Sequence, residues 1–392
     1  MPAKITDRIK VIDVDAHVTE PEDVWTARVS SKWGDKIPHV EQDLESGEWH
    51  WMWGGKPGSH HPVMASAGWK EPYPSFPKTM EDVDPAAWRP HDRIERMDEY
   101  GMHAQVIYPN VGGFGSGRFM EMKEPELQLE CVRAYNDFLT EWCSVAPKRL
   151  LAITALPFWD LDATIAEVDR CAKMGHRGIL FSNEPDSYGQ PALSDPYWDR
   201  LWATAQDHHL SVNFHIGSND SGILQAGHES LTPAARVSMA SVMIFMHNAR
   251  AICETIVAGV PERFPDLNFI SVESGIGWVP FALDAMDWQW LNNGGPATHP
   301  ERTLLPSEYF RRQYYSCFWF EKGPVIDAIL KHLPDNILYE TDFPHPTSMS
   351  PGPASIADVP SDFIDQHLSG LPEDLLQKVL HDNAAAIYHV EE

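Results

Sequence analysis

The chain is 392 residues long, 43% hydrophobic and 22% charged, a globular composition large enough for one big α/β barrel or two smaller domains. Thirty Lys and Arg stand against 57 Asp and Glu, a formal charge of −27, so a nucleic-acid backbone or an anionic membrane surface is repelled, and neither is expected as a partner. Cys131, Cys143, Cys171, Cys253 and Cys317 are scattered without CxxC spacing, which points away from a disulfide framework or a thiolate zinc site and suits a reducing cytoplasm. The start, Met1 to Arg8, has no apolar signal core, and no apolar run is long enough to span a bilayer. A soluble, unprocessed, cytoplasmic protein is expected.

The first strand signal is Val11-Ile12-Asp13-Val14-Asp15-Ala16-His17, where period-two alternation places Asp15 and His17 on one face. From about Glu20 to about Pro90 the chain is rich in Trp, Pro and Gly, with a hairpin-like Glu48 to Lys56. A stretch this long reads as an insertion after the first strand, lying over the mouth of the fold as a lid. Alternation of Trp49, Trp51 and Trp53 implies that one face packs on the fold or on a subunit neighbour. Seven more strand signals follow: Ala104–Tyr108, Leu151–Leu156, Gly178–Phe181, Ser211–His215, Leu267–Val272, Tyr314–Phe318 and Asn336–Tyr339. Helical spacing falls between them at Arg93–Tyr100, Ala163–Met174, Tyr197–His209, Arg250–Val260 and Pro324–His332.

Alternation of this kind predicts parallel βαβ units, and eight of them close into a distorted (β/α)₈ barrel, an α/β fold. An open doubly wound sheet is the competing arrangement, but Asp15-Ala16-His17 stands where a Gly-rich dinucleotide fingerprint would follow the first strand. The whole chain, 1–392, is read as a single barrel domain containing the 20–90 insertion. The glycine-bearing patch Asn110 to Arg118 lacks the Lys-Ser/Thr ending of a phosphate loop and is read as a flexible loop at the mouth. Glu373 to Tyr388 has the pattern of a final amphipathic helix.

Catalytic groups of such barrels sit at the C-terminal ends of strands. Asp15 and His17 end the first strand, His215 the fifth, Glu273 follows the sixth and Asp342 the eighth. Each alone has an ordinary structural reading, since a strand-end His can cap a carbonyl and a strand-end Asp can cap a helix. Their joint placement at one end of four strands favours ligation of a divalent metal. His247, in the segment after the fifth strand, can face the metal or be structural. His345, just past Asp342, can orient a ligand, touch substrate or cap a loop. Trp278, Trp288 and Trp290 can line an apolar pocket for an aromatic substrate.

The Asp-Ala-His strand, Phe214-His215-Ile216-Gly217, Gly259 to Pro265 before Glu273-Ser274-Gly275-Ile276-Gly277-Trp278, and Thr341-Asp342-Phe343-Pro344-His345 together resemble the amidohydrolase superfamily. Within it they are similar to the amidohydrolase-2 group, which includes aminocarboxymuconate semialdehyde decarboxylase and the resorcylate and dihydroxybenzoate decarboxylases. The resemblance implies one divalent metal held by Asp15, His17, His215 and Asp342, and a homodimer, to which the Trp content outside the strands also points. Two departures matter. Asp15 replaces a His or Glu, which makes the site more oxygen-rich and moves the preference from zinc toward manganese or iron. Glu273 replaces an acid/base His, so it either moves protons or ligates metal, and a second metal then becomes an alternative.

The expected function is decarboxylation of a small cyclic or unsaturated carboxylate, with Glu273, Asp342 and His345 as catalytic residues. The alternative is hydrolysis of an ester, lactone, amide or C–C bond, with Asp342 accepting the proton of a metal-bound water. A barrel that has lost its metal and merely binds a ligand is a further alternative.

Overall fold

The structure is a computed structural model and describes residues 3–112, 117–218 and 230–391; of the glycine-bearing patch after the second barrel strand, 113–116 lie outside the described residues. Among the described residues, eight strands form one parallel sheet in the order β1 (Val11–His17), β5 (Met102–Tyr108), β6 (Leu150–Thr154), β7 (Gly178–Phe181), β8 (Ser211–His215), β9 (Phe269–Val272), β10 (Tyr314–Phe318) and β11 (Ile337–Tyr339). All eight strands read from the sequence are present, with ends moved by at most two residues. Helices α1 (Pro90–Tyr100), α2 (Pro125–Cys143), α3 (Leu161–Met174), α4 (Asp199–Asp207) and α5 (Pro233–Val257) return the chain between strands, as parallel pairing requires.

The strand period sorts the side chains into two cores. Ile12, Val14, Val106, Ile153, Leu180, Ile270, Val272 and Leu338 fill the barrel interior. Their neighbours Val11, Ile107, Ala152, Ile179, Val212, Phe269 and Ile337 pack outward with the helices. The floor of the interior is sealed from a distant part of the chain. After a π-helical turn at Lys378–Asp382, the helix Asn383–Tyr388 inserts Ala384, Ile387 and Tyr388 among the interior residues. Tyr388 Oη donates to Asn213 Oδ1 at 2.8 Å beside Tyr108 Oη at 2.9 Å. The amphipathic tail read from the sequence is therefore helical from Glu373, with this π-helical turn inside it.

The barrel closes between β1 and β11 at its mouth. No ladder joins these two strands; instead Ala16 bridges Phe343, His17 N–H donates to Phe343 O (2.6 Å) and Asp342 N–H to Asp15 O (2.9 Å). Asp13 reinforces the seam from outside the interior. Its carboxylate accepts from Thr341 N–H (2.8 Å), Thr341 Oγ1 (2.5 Å) and Gln105 Nε2 (2.7 Å).

Between β1 and α1 lies a second, antiparallel sheet of β2 (His39–Gln42), β3 (Trp49–Trp53) and β4 (Lys56–His60). Gly54 and Gly55, with φ of 54° and 79°, form its tight turn, where two consecutive positive φ values match the twist of a two-residue hairpin. Trp51 and Trp53 are buried against Trp25, with ring centroids 5.0 and 5.1 Å apart, while Trp49 is only half-buried. The segment touches the barrel mouth directly: Ser66 N–H and Ala67 N–H both donate to Pro344 O, and Asn110 Nδ2 donates to Val63 O.

Several helices escaped the sequence reading, among them α2, Val279–Asn292, Pro306–Gln313 and Pro360–Leu368, and one was read short. The helix Val279–Asn292 carries apolar residues on most faces, which blurs the helical period. α5 begins at Pro233, not Arg250, with Thr232 Oγ1 accepting from Ala235 N–H as its cap.

Candidate active site

Four candidate ligands, Asp15, His17, Glu273 and Asp342, reach the site through a local break in strand regularity, whereas His215 is the regular last residue of β8. In β1, Asp13 pairs with Gln105 but Ala16 pairs with Ile107, so β1 holds one extra residue, a β-bulge. Ile12 and Val14 face the interior; past the bulge the parity changes, so Asp15 and His17 face it too, and Asp13 is left outside on Gln105. Glu273 and Asp342 stand in the left-handed region with φ of 55° and 56°, uncommon for residues with a side chain and a frequent mark of functional sites.

Asp15, His17, His215, Glu273, Asp342 and His345 converge on one point. His17 Nε2 lies 3.2 Å from Asp15 Oδ1, 3.4 Å from Asp342 Oδ1 and 3.2 Å from His215 Nε2. His215 Nε2 lies 3.5 Å from both Asp15 Oδ2 and Glu273 Oε2. His345 Nδ1 is 2.9 Å from Asp342 Oδ1, and its ring stacks on His17 at 3.8 Å. Ligand atoms of Asp15, His17, His215 and Glu273 all fall within 4.8 Å of one another, as do those of His17, Glu273, Asp342 and His345. His247 belongs to neither group; it sits on α5 with Nδ1 3.8 Å from Glu184 Oε2, beside the Arg250–Glu184 ion pair.

The donor set fits a divalent cation. Both carboxylate oxygens of Asp15 and of Asp342 are buried, and the two carboxylates face imidazole nitrogens of the cluster, with no backbone donor or permanent cation among the described residues paired to them, an arrangement that costs roughly several kcal/mol per ion unless a positive charge compensates it. His17 Nδ1 faces Pro109 O at 2.9 Å and His215 Nδ1 faces Ile216 O at 2.8 Å. A carbonyl only accepts, so Nδ1 carries the proton in both rings and Nε2 presents its lone pair to the cluster. Bond lengths of roughly 2.0–2.2 Å are what a first-row ion makes with such N and O donors, and atoms 3.2–3.5 Å apart are spaced to surround one.

A family model described as Amidohydrolase matches residues 12–390. The chain belongs to the amidohydrolase family. Among curated relatives, this amidohydrolase is 26% identical over 265 residues to the gamma-resorcylate decarboxylase of Rhizobium sp. (strain MTP-10005), covering 64% of this chain and 76% of that one. Among solved structures it is similar to an amidohydrolase from Mycobacterium avium subsp. paratuberculosis K-10, with TM-score 0.74, 21% identity, and 97% and 99% of the two chains covered. It is also similar to the 5-carboxyvanillate decarboxylase of Novosphingobium aromaticivorans DSM 12444 complexed with manganese and 4-hydroxy-3-methoxy-5-nitrobenzoic acid, with TM-score 0.64, 15% identity, and 97% and 96% covered. Among the described residues, no helix of this amidohydrolase is long and apolar enough to cross a membrane.

The electrostatics of the amidohydrolase site are dominated by crowded carboxylates. Burial, with the charges of Asp342, Asp15 and Glu340 beside it, pushes the Glu273 carboxyl well above the usual range. Burial likewise raises Asp342, to about 7, and lowers His345 to about 3, which leaves that ring neutral. Glu340 is a buried acid that the sequence reading missed. It follows β11 two residues before Asp342 and shares the interior parity of Leu338, so its strand position was the available signal. Burial, then Asp15, raises its carboxyl well above the usual range too. Arg93, also missed, lies outside the interior and donates to His17 O at 2.6 Å.

Proposed function

We propose that this amidohydrolase is a metal-dependent decarboxylase of small cyclic or unsaturated carboxylates. Asp15, His17, His215 and Asp342 are read as the ligands of one divalent ion, manganese or iron ahead of zinc because three of the six convergent side chains are carboxylates. The observation that carries this reading is the place of Glu273. Its neighbours Asp15, His17, His215 and Asp342 are completely buried, whereas the Glu273 side chain is 12% exposed, so it stands between the ligand cluster and the open mouth. The curated relative's decarboxylase activity supports the same reading.

A divalent ion bound there supplies the positive centre that holds a substrate carboxylate and a neighbouring oxygen. Glu273, whose carboxyl pKa is raised by burial, delivers its proton to the ring or chain carbon from which carbon dioxide leaves, and the carboxylate that results is reprotonated from the mouth. His345 orients Asp342 through its Nδ1 contact and packs against the ring of His17. The segment from 20 to 90 acts as a lid, because Ser66 and Ala67 are tied by backbone bonds to Pro344 in the loop that carries His345, and Val63 O accepts from Asn110 Nδ2 in the loop after β5. A soluble cytoplasmic homodimer is the form we infer, with the exposed face of the helix Val279–Asn292 at the subunit contact: Phe281 is 74% and Trp288 67% exposed there.

Hydrolysis is the second reading, favoured by the presence of Glu273 in both ligand groups, which gives it the reach to hold a second ion. Glu273→Gln separates the two. In the decarboxylase reading, carbon dioxide release from aromatic carboxylates falls by at least about a hundredfold while metal content stays at one ion per chain. A native content near two ions per chain, falling in the variant, moves hydrolysis to first place.

A further inference from the structure

Glu273 holds its place against the preference of its own backbone. It stands at φ 55°, Gly275 follows at φ 68°, and the 273–277 turn has no ladder of its own after β9 ends at Val272. Its amides end instead on two carboxyl side chains from the segments that follow β10 and β11. Glu273 N–H donates to Glu340 Oε2 at 3.1 Å, across the barrel interior from the end of β11 and past β10. Ile276 N–H and Gly277 N–H both donate to Glu321 Oε1, at 2.5 and 3.2 Å, from the segment after β10. The carbonyl side is tied as well: Asn248 Nδ2 donates to Val272 O at 2.9 Å. At Gly275 a Cβ would come within 2.5 Å of Glu321 Oε1 and 2.9 Å of the Phe320 ring, so the close approach of Glu321 requires glycine as much as the positive φ does.

We propose that Glu340 and Glu321 form a carboxylate clamp: they are positioning residues whose oxygens accept the amides of the 273–277 turn and fix the Glu273 carboxyl over the ligand cluster. With no strand partner beside the turn among the described residues, these carboxyl oxygens are what satisfies its amides, and leaving a buried donor unpaired is costly. Two such acceptors, one beneath the turn and one at its rim, leave the Glu273 side chain few directions in which to swing. Glu340 Oε2 touches the turn only through the backbone, so it acts on the reaction through Glu273.

The proposal rests on the preceding reading only for its effect on turnover; its structural half can be measured without substrate. Amide hydrogen exchange over 271–277 is compared in the metal-loaded wild type, Glu340→Ala, Glu340→Gln and Glu321→Ala, with metal content, kcat and KM recorded for each. Loss of one buried acceptor should raise exchange in this peptide by about tenfold or more. Glu340→Ala should lower kcat by a similar factor with KM little changed. Glu340→Gln, whose amide oxygen can accept the same bond, should restore both. Gly275→Ala gives an independent disturbance of the same turn should Glu340→Ala fail to fold, and should also raise exchange. Unchanged exchange in the folded alanine variants overturns the clamp. So does a Glu340→Gln variant as impaired as Glu340→Ala, because charge and not acceptance would then be what matters. Raised exchange with undiminished kcat upholds the clamp and removes Glu273 from the reaction.

Discussion

Replacing Arg93 by Met tests whether the ligand strand is held from behind. The guanidinium is fully buried and spreads its donors over four acceptors: Ala86 O (2.6 Å, from Nε), His17 O (2.6 Å) and Ala87 O (3.4 Å) from Nη2, and Gln105 Oε1 (3.3 Å) from Nη1. It also lies 4.5 Å from the Phe343 ring, and Gln105 passes the contact on to Asp13. Met fills most of the volume but donates nothing. The two short carbonyl contacts then cost about 1–3 kcal/mol each as unsatisfied buried acceptors, and the lost cation–π contact adds about 1 kcal/mol. About 4 kcal/mol of destabilisation is expected, in line with the roughly 3–5 kcal/mol that accompanies breaking a buried charged contact. Urea unfolding of the metal-free protein measures it as a fall in midpoint at constant slope. Because His17 O is one of the acceptors, metal affinity should fall by roughly 10–100-fold as well, the usual effect of removing a group that orients a ligand. A loss under about 1 kcal/mol with metal affinity unchanged would refute the idea that Arg93 braces the site.

Glu20 gives a pH test away from the ligands. Burial raises its carboxyl from 4.5 to about 7, and it accepts the amides of Asn110 and Val111. Folding therefore favours its protonated form, so its contribution is full below about pH 4.5 and is lost as pH rises through about 7. Glu20→Gln, which mimics the protonated acid, should match wild-type stability near pH 5 and exceed it at pH 8, by up to about 3 kcal/mol at about 1.4 kcal/mol per tenfold in proton affinity; equal stability at both values would count against a buried, strained charge. At the subunit contact, Trp288→Glu should convert a dimer to a monomer in light scattering at micromolar concentration with the fold intact by circular dichroism, and a wild type that is already monomeric there contradicts the proposed interface.

The barrel was legible because its strands are short apolar runs bounded by turn residues, and because ligands at strand ends announce themselves where a run stops, as at Phe214-His215 and Val272-Glu273. What was not legible depends on counts that only pairing can settle. Simple alternation puts Asp13, Asp15 and His17 on one face; the bulge between Asp13 and Ala16 instead sends Asp13 to the seam and Asp15 to the site. Glu340 was hidden for the opposite reason, since a carboxylate at an interior position one step inside the site looks like part of a polar strand end. Arg93 lies on α1, where a charged residue is ordinarily solvated, and only the third dimension shows that it reaches His17 O.

The helix that seals the barrel floor has a consequence for how the molecule is built. Asn213, one layer below His215, receives the hydroxyls of Tyr108 and Tyr388 together, and Tyr388 follows all eight barrel strands in the chain. During synthesis every strand has therefore emerged before the interior beneath the ligands can be filled, and an unsealed barrel exposes Ile12, Val106, Ile270 and Leu338 to solvent and to other nascent chains. Docking of Asn383–Tyr388 then acts as a quality check that couples completion of the ligand layer to completion of the fold, and it makes this helix, remote from substrate, the place where damage should first appear as poor yield of folded protein and only afterwards as poor catalysis.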